Sequence, residues 1–535
     1  MELECYPYAS GQDDDAVCLW MRLGPYGVLL DCGLEDPHPV LVGMTEGRPL
    51  NAIVCSHARP DRARGLRSLQ LALPNRPIYT SEVSAKLLPL NWPRQNRIPQ
   101  FRALEWQMPI EIAPDLWLEL IPAGHLPGAA VTQLTYTGQT AKNAHRLRVT
   151  YASNFLISNS RLTSGLDLES LHGSRPDVAI VSGRYGTARY ERRRSQENEI
   201  AAQIEGWLER GHTIVMPVPA LGLAQELLAM FRAHHHFTGR DLDIWVDRGI
   251  AEVCDLYLEQ LEAFPQSVQN FARHQPLFWD DRVRPRVHRL EDTAIEPLKK
   301  LAQAPSLILV DETADLTPFI DPSLKPVLLC SDTSDAIRAD LLPLPDVPCE
   351  IYHLSEHCDI AGTTQLVHNL RPQHLMFVDG STSYLADLTN LNELYDRYQV
   401  HCPQTYQPIA FPLKPFSGIK AALPATRYEG EVEEGRNRAT ISLPPQLQKD
   451  PRWQKLADTG VIEVRWQGED LLVRGVVASE LLEAVQPRIP LDVACCANCI
   501  YCRGQQCRNP KSPLADRRVS PDGYCMVFEA VESEF

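Results

Sequence analysis

Apolar residues in the first third of the chain come in short runs broken by turn residues. GVLLDCGL (27–34), NAIVCSH (51–57), PIYTSE (77–82), LWLELIPAG (116–124), HRLRVTYASN (145–154) and DVAIVSG (177–183) read as strands. Several are apolar on both faces, the pattern of a sheet covered by other layers. From about residue 187 the period changes. SQENEIAAQIEGWLERG (195–211) has helical spacing and closes on glycine, HTIVMPVPA (212–220) returns to strand, and LAQELLAMFRAHH (223–235) to helix. That alternation predicts a parallel α/β unit. SLILVDET (306–313) and PVLLCSDT (326–333) continue it, and CEIYHLSEH (349–357), TTQLVHNLRP (363–372) and HLMFVDG (374–380) add a further strand–helix–strand passage.

Beyond this the chain reads as a linker at 423–440 and a small α/β module at 441–490. The module would hold a helix in 444–460, strands VIEVRWQG (461–468) and DLLVRGVV (470–477), and a helix in 478–485. A chain of 535 residues is too long for one core and predicts two to four domains. No apolar run is long enough for a membrane helix. The N-terminus MELECYPYASGQDDD lacks a basic-then-apolar signal, so a cytoplasmic location is expected. The net charge of −16 argues against broad affinity for nucleic acid. It leaves room for a local basic surface, and RYGTARYERRR (184–194) carries five arginines in eleven residues. Arg452, Trp453, Lys455, Arg465 and Trp466 mix basic and aromatic residues in the small module, a composition that can stack on bases. The same residues serve equally as ordinary surface and core.

CSHARPDRARGL (55–66) raises the chemical question. His57 and Asp61 stand where a metal-binding loop would place ligands, yet Arg59 and Arg62 lie beside them. The order of motifs around this loop resembles the metallo-β-lactamase fold of the β-CASP ribonuclease family, over roughly residues 15 to 420. The strand-end aspartate of that family is matched by Asp31 in LLDCG. Its H-x-H-x-D-H loop is matched by His57, Arg59, Asp61 and Arg62 in HARPDR. A further His is matched by His125 in AGHLPGAA. The bridging aspartate falls on Asn154 in TYASNF, and the acidic residue that opens the β-CASP insert falls on Ser182 in SGRYG. PVPALGLAQELL (217–228) resembles the family's P-A-F-A-V-G-R-A-Q-E. Ser355–Asp359 (SEHCD, with His357) matches S-A-H-A-D, and Val378–Asp379–Gly380 matches V-H-G.

The resemblance implies an α/β chain. An αββα metallo-β-lactamase sandwich would be formed by 1–186 and 346–422, with an inserted β-CASP-like α/β domain at 187–345, a linker and small module at 423–490, and a Cys-rich tail at 491–535. It also implies two zinc ions in active members. Here the first metal would keep His57 and His125 but lose a His to Arg59. The second would keep Asp61 but lose a His to Arg62 and another to Asp379, and the bridge would be a neutral Asn154. Two-metal hydrolysis needs a bridging carboxylate and an activated water, and arginine is charged at any accessible pH. No dinuclear zinc is therefore expected. Asp31 and Asp61 would pair instead with Arg59 and Arg62, or a single metal would persist on His57, His125 and Asp61, with Asp379 as a substitute ligand. Asp31, His57, Arg59, Asp61, Arg62, His125, Asn154, Ser182, His357 and Asp379 thus form a vestigial site. Arg59, Arg62 and His357 are candidates to hold a phosphate, because guanidinium binds phosphate through a bidentate fork.

Fifteen cysteines are many for a reducing compartment, and six crowd the tail. Such crowding points to metal rather than disulfides. The most economical ligand set is Cys496, Cys499, Cys507 and Cys525, with Cys495 and Cys502 spare. Thiolates suit zinc or an iron–sulfur cluster. CANC (496–499) and VSPDGYC (519–525) resemble segments of high-potential iron–sulfur proteins, with different spacings, so a [4Fe–4S] cluster is expected ahead of zinc. Three functions follow as expectations: a non-catalytic pseudonuclease that binds RNA or a protein partner, an active metal-dependent RNA endonuclease or phosphodiesterase, or an iron–sulfur redox or assembly factor.

Overall fold

The computed structural model describes residues 3–12, 15–140, 143–279, 282–290, 304–332 and 347–413, four strands between 431 and 475, and residues 499–503, 506–512, 515, 517 and 527. The chain divides into two compact units, Met1–Lys414 and Pro415–Phe535.

The first unit opens with strands Leu3–Ser10 (β1), Val17–Leu23 (β2), Tyr26–Leu30 (β3), Ala52–Val54 (β4), Ile78–Ser81 (β5) and Phe101–Leu104 (β6). Next come Ile110–Ala113 (β7), Leu116–Pro122 (β8), Ala130–Thr140 (β9), Asn143–Ala152 (β10) and Val178–Ser182 (β11). Six further strands are Thr213–Val218 (β12), Asp243–Val246 (β13), Arg286–Arg289 (β14), Leu307–Asp311 (β15), Pro326–Ser331 (β16) and Cys349–Tyr352 (β17). His374–Val378 (β18), Gln399–His401 (β19) and Ile409–Ala410 (β20) complete the unit.

These strands make three sheets, ordered β20-β1-β2-β3-β4-β5-β6, β19-β18-β11-β10-β9-β8-β7 and β14-β13-β15-β12-β16-β17. The first two are mixed, and every pairing in the third is parallel. The first and second pack face to face. Val17, Leu19 and Met21 of β2 meet Leu118, Val149 and Ile180 of the opposing sheet in one core. Cys18 and Trp20 point the other way, into a core shared with Leu66 and Leu69 of helix Leu66–Ala72. With both faces of β2 covered, no apolar–polar alternation is needed, and its burial is almost continuous. The outer face of the second sheet is covered by Leu366, Val367 and Leu370 of helix Ile360–Leu370 and by Leu385 and Leu388 of helix Thr382–Thr389. The order is helix, sheet, sheet, helix, as expected.

Several boundaries differ from the sequence reading. Strands β1 and β2 lie where no strand was expected. The run 27–34 ends as a strand at Leu30, because Asp31 takes a left-handed φ of +59°. β17 pairs with β16, so it belongs to the third sheet and the junction expected at 345/346 falls too early. In the second unit, Glu431–Gly435 pairs with Arg438–Ser442 as an antiparallel hairpin across residues read as linker. Ile462–Gln467 and Asp470–Gly475 pair as expected for the small module. The helices expected at 444–460 and 478–485 lie outside the described residues. Among the described residues, no helix is long and apolar enough to cross a membrane.

Candidate functional site

The sandwich brings the ends of five strands to one place. Asp31 follows β3, Asn154 lies just past β10, Ser182 closes β11, Asp379 follows β18, and His57 lies just past β4. Asp31 and Asp379 both have φ of +59°, a region that short polar side chains tolerate better than bulky ones. Asp379 is held there by its N–H to the Ser10 carbonyl at 2.8 Å. Gly11 must be glycine at this approach, since a Cβ on it would meet the Asp379 Cα at 2.7 Å.

Arg62 occupies the middle. It sits in the short helix Pro60–Ala63, and its side chain is fully buried. Its Nε donates to Ser153 Oγ at 2.9 Å. Nη1 donates to the Asp15 carbonyl at 3.0 Å and to Asp61 Oδ2 at 2.7 Å. Nη2 donates to Asn154 Oδ1 at 2.9 Å and meets Asp379 Oδ2 at 2.8 Å. A guanidinium has five N–H donors, and each has an acceptor from the protein. Asp31 Oδ2 adds a longer ionic contact at 3.8 Å. Arg62 therefore faces three carboxylates, and their charge pushes its pKa further up against the cost of burial.

Asp31 is fixed by Ser56 N–H at 2.6 Å, Ser56 Oγ at 2.8 Å and Tyr151 OH at 2.7 Å. Burial raises its pKa to about 6, while Arg62 and these donors pull it down. Asp379 also accepts from Ser182 Oγ at 2.9 Å and from Arg184 at 3.3 Å, and Arg184 reaches Asp15 at 2.5 Å.

Three buried imidazoles form the other half of the site. His57 and His125 meet edge to face with centroids 5.3 Å apart, and His125 stacks on His357 at 4.7 Å. Burial, with the nearby arginines, pushes all three well below the usual histidine pKa, so they are neutral at pH 7. His57 Nδ1 meets Ser56 Oγ and His125 Nδ1 meets the Glu356 carbonyl, both at 2.9 Å. His57 Nε2 faces Asn154 Nδ2 at 3.5 Å, while His125 Nε2 and His357 Nδ1 are buried with no partner.

All ten residues expected in the vestigial site lie at or beside this place, but the ion pairs differ in part from the expectation. Arg62 pairs with Asp61 and Asp379 and lies only at 3.8 Å from Asp31. Arg59 pairs with Glu356, not with Asp31 or Asp61, and its Nε donates to the Leu221 carbonyl at 3.3 Å. The cause is reach: Arg59 caps the helix that carries Arg62 and faces the loop after β12, away from the carboxylate cage. As a phosphate contact Arg62 is ill suited, because its donors are spent on protein acceptors.

Sequence reasoning missed Asp15, Arg184, Glu356, Tyr151 and Ser153. The available signal was charge. A buried arginine amid several aspartates requires balance, and Arg184 lies within SGRYG, a motif already singled out. The arginine-rich stretch is also less of a surface than its composition suggested. Arg184 turns inward, and Arg193 donates to Glu226 at 2.9 Å and to the Ser355 carbonyl at 2.5 Å. Glu226, in helix Leu223–Ala233, further accepts from Ser160 Oγ at 2.7 Å and from the N–H groups of Arg161 and Leu162, both at 2.9 Å. It thereby ties the third sheet's layer to the loop after β10. Among the described residues, no three His, Cys, Asp or Glu side chains are grouped to hold a metal ion.

No family model matches this chain. A protein of Synechocystis sp. named Uncharacterized protein sll0514 is 41% identical over 547 residues, covering 98% of this chain and 97% of that one. This chain belongs to the sll0514 family. The family member described here is also 26% identical over 274 residues to Probable RNase MJ4 of Methanocaldococcus jannaschii, and 22% identical over 368 residues to Endoribonuclease YSH1 of Mycosarcoma maydis. Those matches cover 47% and 63% of this chain but only 61% and 40% of the two relatives. Together with the sandwich and the parallel third sheet, they support the β-CASP metallo-β-lactamase fold for this chain.

In this member's tail, Cys502–Arg503 and Gln506–Cys507 pair as a hairpin in which Cys502 stands opposite Cys507. Cys502 N–H donates to the Cys499 carbonyl at 3.0 Å. Cys495, Cys496 and Cys525 lie outside the described residues.

Proposed function

We propose that this chain is a catalytically silent β-CASP-fold protein that binds RNA and carries a metal centre on its C-terminal cysteines. The observation that carries the first part is the Arg62 guanidinium, bonded through every donor among Asp61, Asp379, Asn154, Ser153 and Asp15. The cage that would surround a metal pair surrounds a fixed cation instead. A second cation there would meet Arg62 and Arg184 at close range with no carboxylate bridge to offset the repulsion, since Asn154 is neutral. The residues present do not fit a dinuclear zinc site, and no hydrolytic step is routed through one.

RNA is favoured by the relatives named as ribonucleases. Of the residues expected to hold phosphate, Arg59 and His357 lie outside the saturated cage, although Arg59 is already paired with Glu356 and His357 is buried. The tail reading rests on its donor set, six cysteines in one short segment, which suits a [4Fe–4S] cluster or zinc.

A second reading, a metal-dependent RNA endonuclease, has one observation behind it. His125 has Nδ1 engaged by the Glu356 carbonyl and a buried Nε2 with no partner, the preparation usual in metal-binding histidines. Fluorescence anisotropy with single-stranded RNA in EDTA, beside a cleavage assay with added zinc, manganese or magnesium, separates the two. Binding without cleavage supports the silent reading. Metal-dependent cleavage abolished by Asp61→Asn overturns it.

A further inference from the structure

β17 is the edge strand of the parallel third sheet and pairs with β16. The carboxyl ends of such strands are where open α/β sheets place their ligands. The Asp332 N–H donates to the Tyr352 carbonyl at 3.0 Å, which carries the pairing just past β16 and sets Asp332 beside His353. Asp332 Oδ2 meets His353 Nδ1 at 2.7 Å, and His353 Nε2 meets Ser355 Oγ at 2.8 Å. A carboxylate only accepts, so the imidazole proton sits on Nδ1 and Nε2 is left to accept the Ser355 O–H. Gln196, on helix Arg193–Glu209, donates its Nε2 to the same Ser355 Oγ at 2.8 Å and accepts the Ser355 N–H on Oε1 at 2.8 Å. With that lone pair taken, the hydroxyl hydrogen is directed to His353. The ring is held further by Tyr190, stacked at 3.8 Å with planes 15° apart, and by Tyr185, edge-on at 5.6 Å. His353 keeps 19% of its side chain exposed and Ser355 is half-buried, so neither is sealed from solvent.

We propose that Ser355, His353 and Asp332 form a serine-nucleophile site that cleaves carboxylic esters. Nucleophile, base and orienting carboxylate are linked in order, the arrangement that activates a serine hydroxyl. The site uses none of the carboxylates that surround Arg62, so it stands or falls apart from the reading of that cage. Ser355 Oγ attacks the ester carbonyl carbon as His353 Nε2 takes the hydroxyl proton. The Oγ–C bond forms, the ester C–O bond breaks, and that proton leaves with the alcohol. Water, deprotonated by His353, then attacks the acyl-serine, the acid is released, and the proton returns to Ser355 Oγ. Asp332 touches no substrate. It is a positioning residue that keeps the imidazole in the required tautomer.

A serine that merely ties β17 to the helix would make the same bonds without excess reactivity, and reactivity is what the test reads. The full chain is treated with a fluorophosphonate, which phosphonylates activated serines with loss of fluoride, and the labelled residue is mapped by mass spectrometry. Urea-unfolded protein is the control, and p-nitrophenyl acetate is the ester substrate. The expected result is a single label, on Ser355, in native protein only, with ester turnover lost once the label is on. His353→Gln should slow labelling at least about a hundredfold. Asp332→Asn should slow it at least about tenfold, and Asp332→Glu, which keeps the carboxylate, should recover most of the rate. Thermal unfolding checks that each variant is folded, and the mapping on wild type needs no variant. Native wild type unlabelled at Ser355, or labelled no faster than folded His353→Gln, overturns the proposal. Labelling without ester turnover overturns the hydrolytic step, and an unchanged rate in Asp332→Asn overturns the part given to Asp332.

Discussion

Replacing Arg62 with methionine removes the cation and keeps most of the side-chain volume. Asp31, Asp61 and Asp379 then share a pocket, with Arg184 the cation that still reaches Asp379. Breaking a buried ion pair by removing one partner costs about 3–5 kcal/mol, a large part of a net stability of order 5–15 kcal/mol. The loss depends on pH, and the sign follows from the groups present. Asp31 already titrates near 6 in the folded protein, with Arg62 among the forces holding it down. Removing Arg62 raises it further above the unfolded value near 3.9. A carboxyl with a raised folded pKa destabilises when ionised, and the penalty fades as pH falls through the folded pKa. His57, His125 and His357 shift in the same sense, because Arg62 helps to depress each of them. The gap between wild type and Arg62→Met should therefore be widest at pH 7.5 and close by 1 kcal/mol or more by about pH 5. Urea unfolding of the first unit, followed by tryptophan fluorescence at both pH values, measures it. A loss under about 1 kcal/mol at pH 7.5, or a gap that does not narrow, would refute the account of Arg62 as the cage's counter-ion.

Three other outcomes follow from the same contacts. His374 and His401 share a hydrogen bond at 3.0 Å, and burial lowers the His401 pKa to about 4. Protonation therefore favours the unfolded chain as pH falls from about 6.5 to 4, and His401→Phe should lessen the acid loss by about 1–2 kcal/mol after allowing for its half-exposed position, as read from urea midpoints at pH 7 and 5. Glu226→Gln turns an amide N–H₂ toward existing donors. It should cost about 2–3 kcal/mol and speed hydrogen exchange at Arg161 and Leu162 while leaving β1–β3 protected. Arg62→His combined with Asn154→Asp removes the competing cation and restores a carboxylate bridge. Zinc titration by calorimetry should show at least one site absent from wild type, and no gain would mean that other residues close the pocket to metal.

Many strands and helices were legible because apolar runs and turn residues report burial directly, whereas the order of the layers came from the family resemblance. β2 was missed although VCLWMRL is as apolar as the runs read as strands, and tyrosine and proline in LECYPYAS blur β1. The motif order pointed to residues that the structure brings together, since strand-end loops on one edge of a sandwich converge. Partner choice was not legible. That Arg59 takes Glu356 and that Arg62 takes Asp379 depend on side-chain reach across loops 297 residues apart in the first case. Net charge hid the local balance, in which Arg184 is an internal cation rather than part of a surface patch.

The most direct test of the central claim is the metal count of the first unit's pocket in anaerobically purified full-length protein, compared between wild type and Asp61→Asn. The account predicts that wild type holds only the tail's metal and that Asp61→Asn changes nothing in the count. Two tightly held zinc or manganese ions beyond the tail's share, lost in Asp61→Asn, would contradict it and return the pocket to the hydrolases.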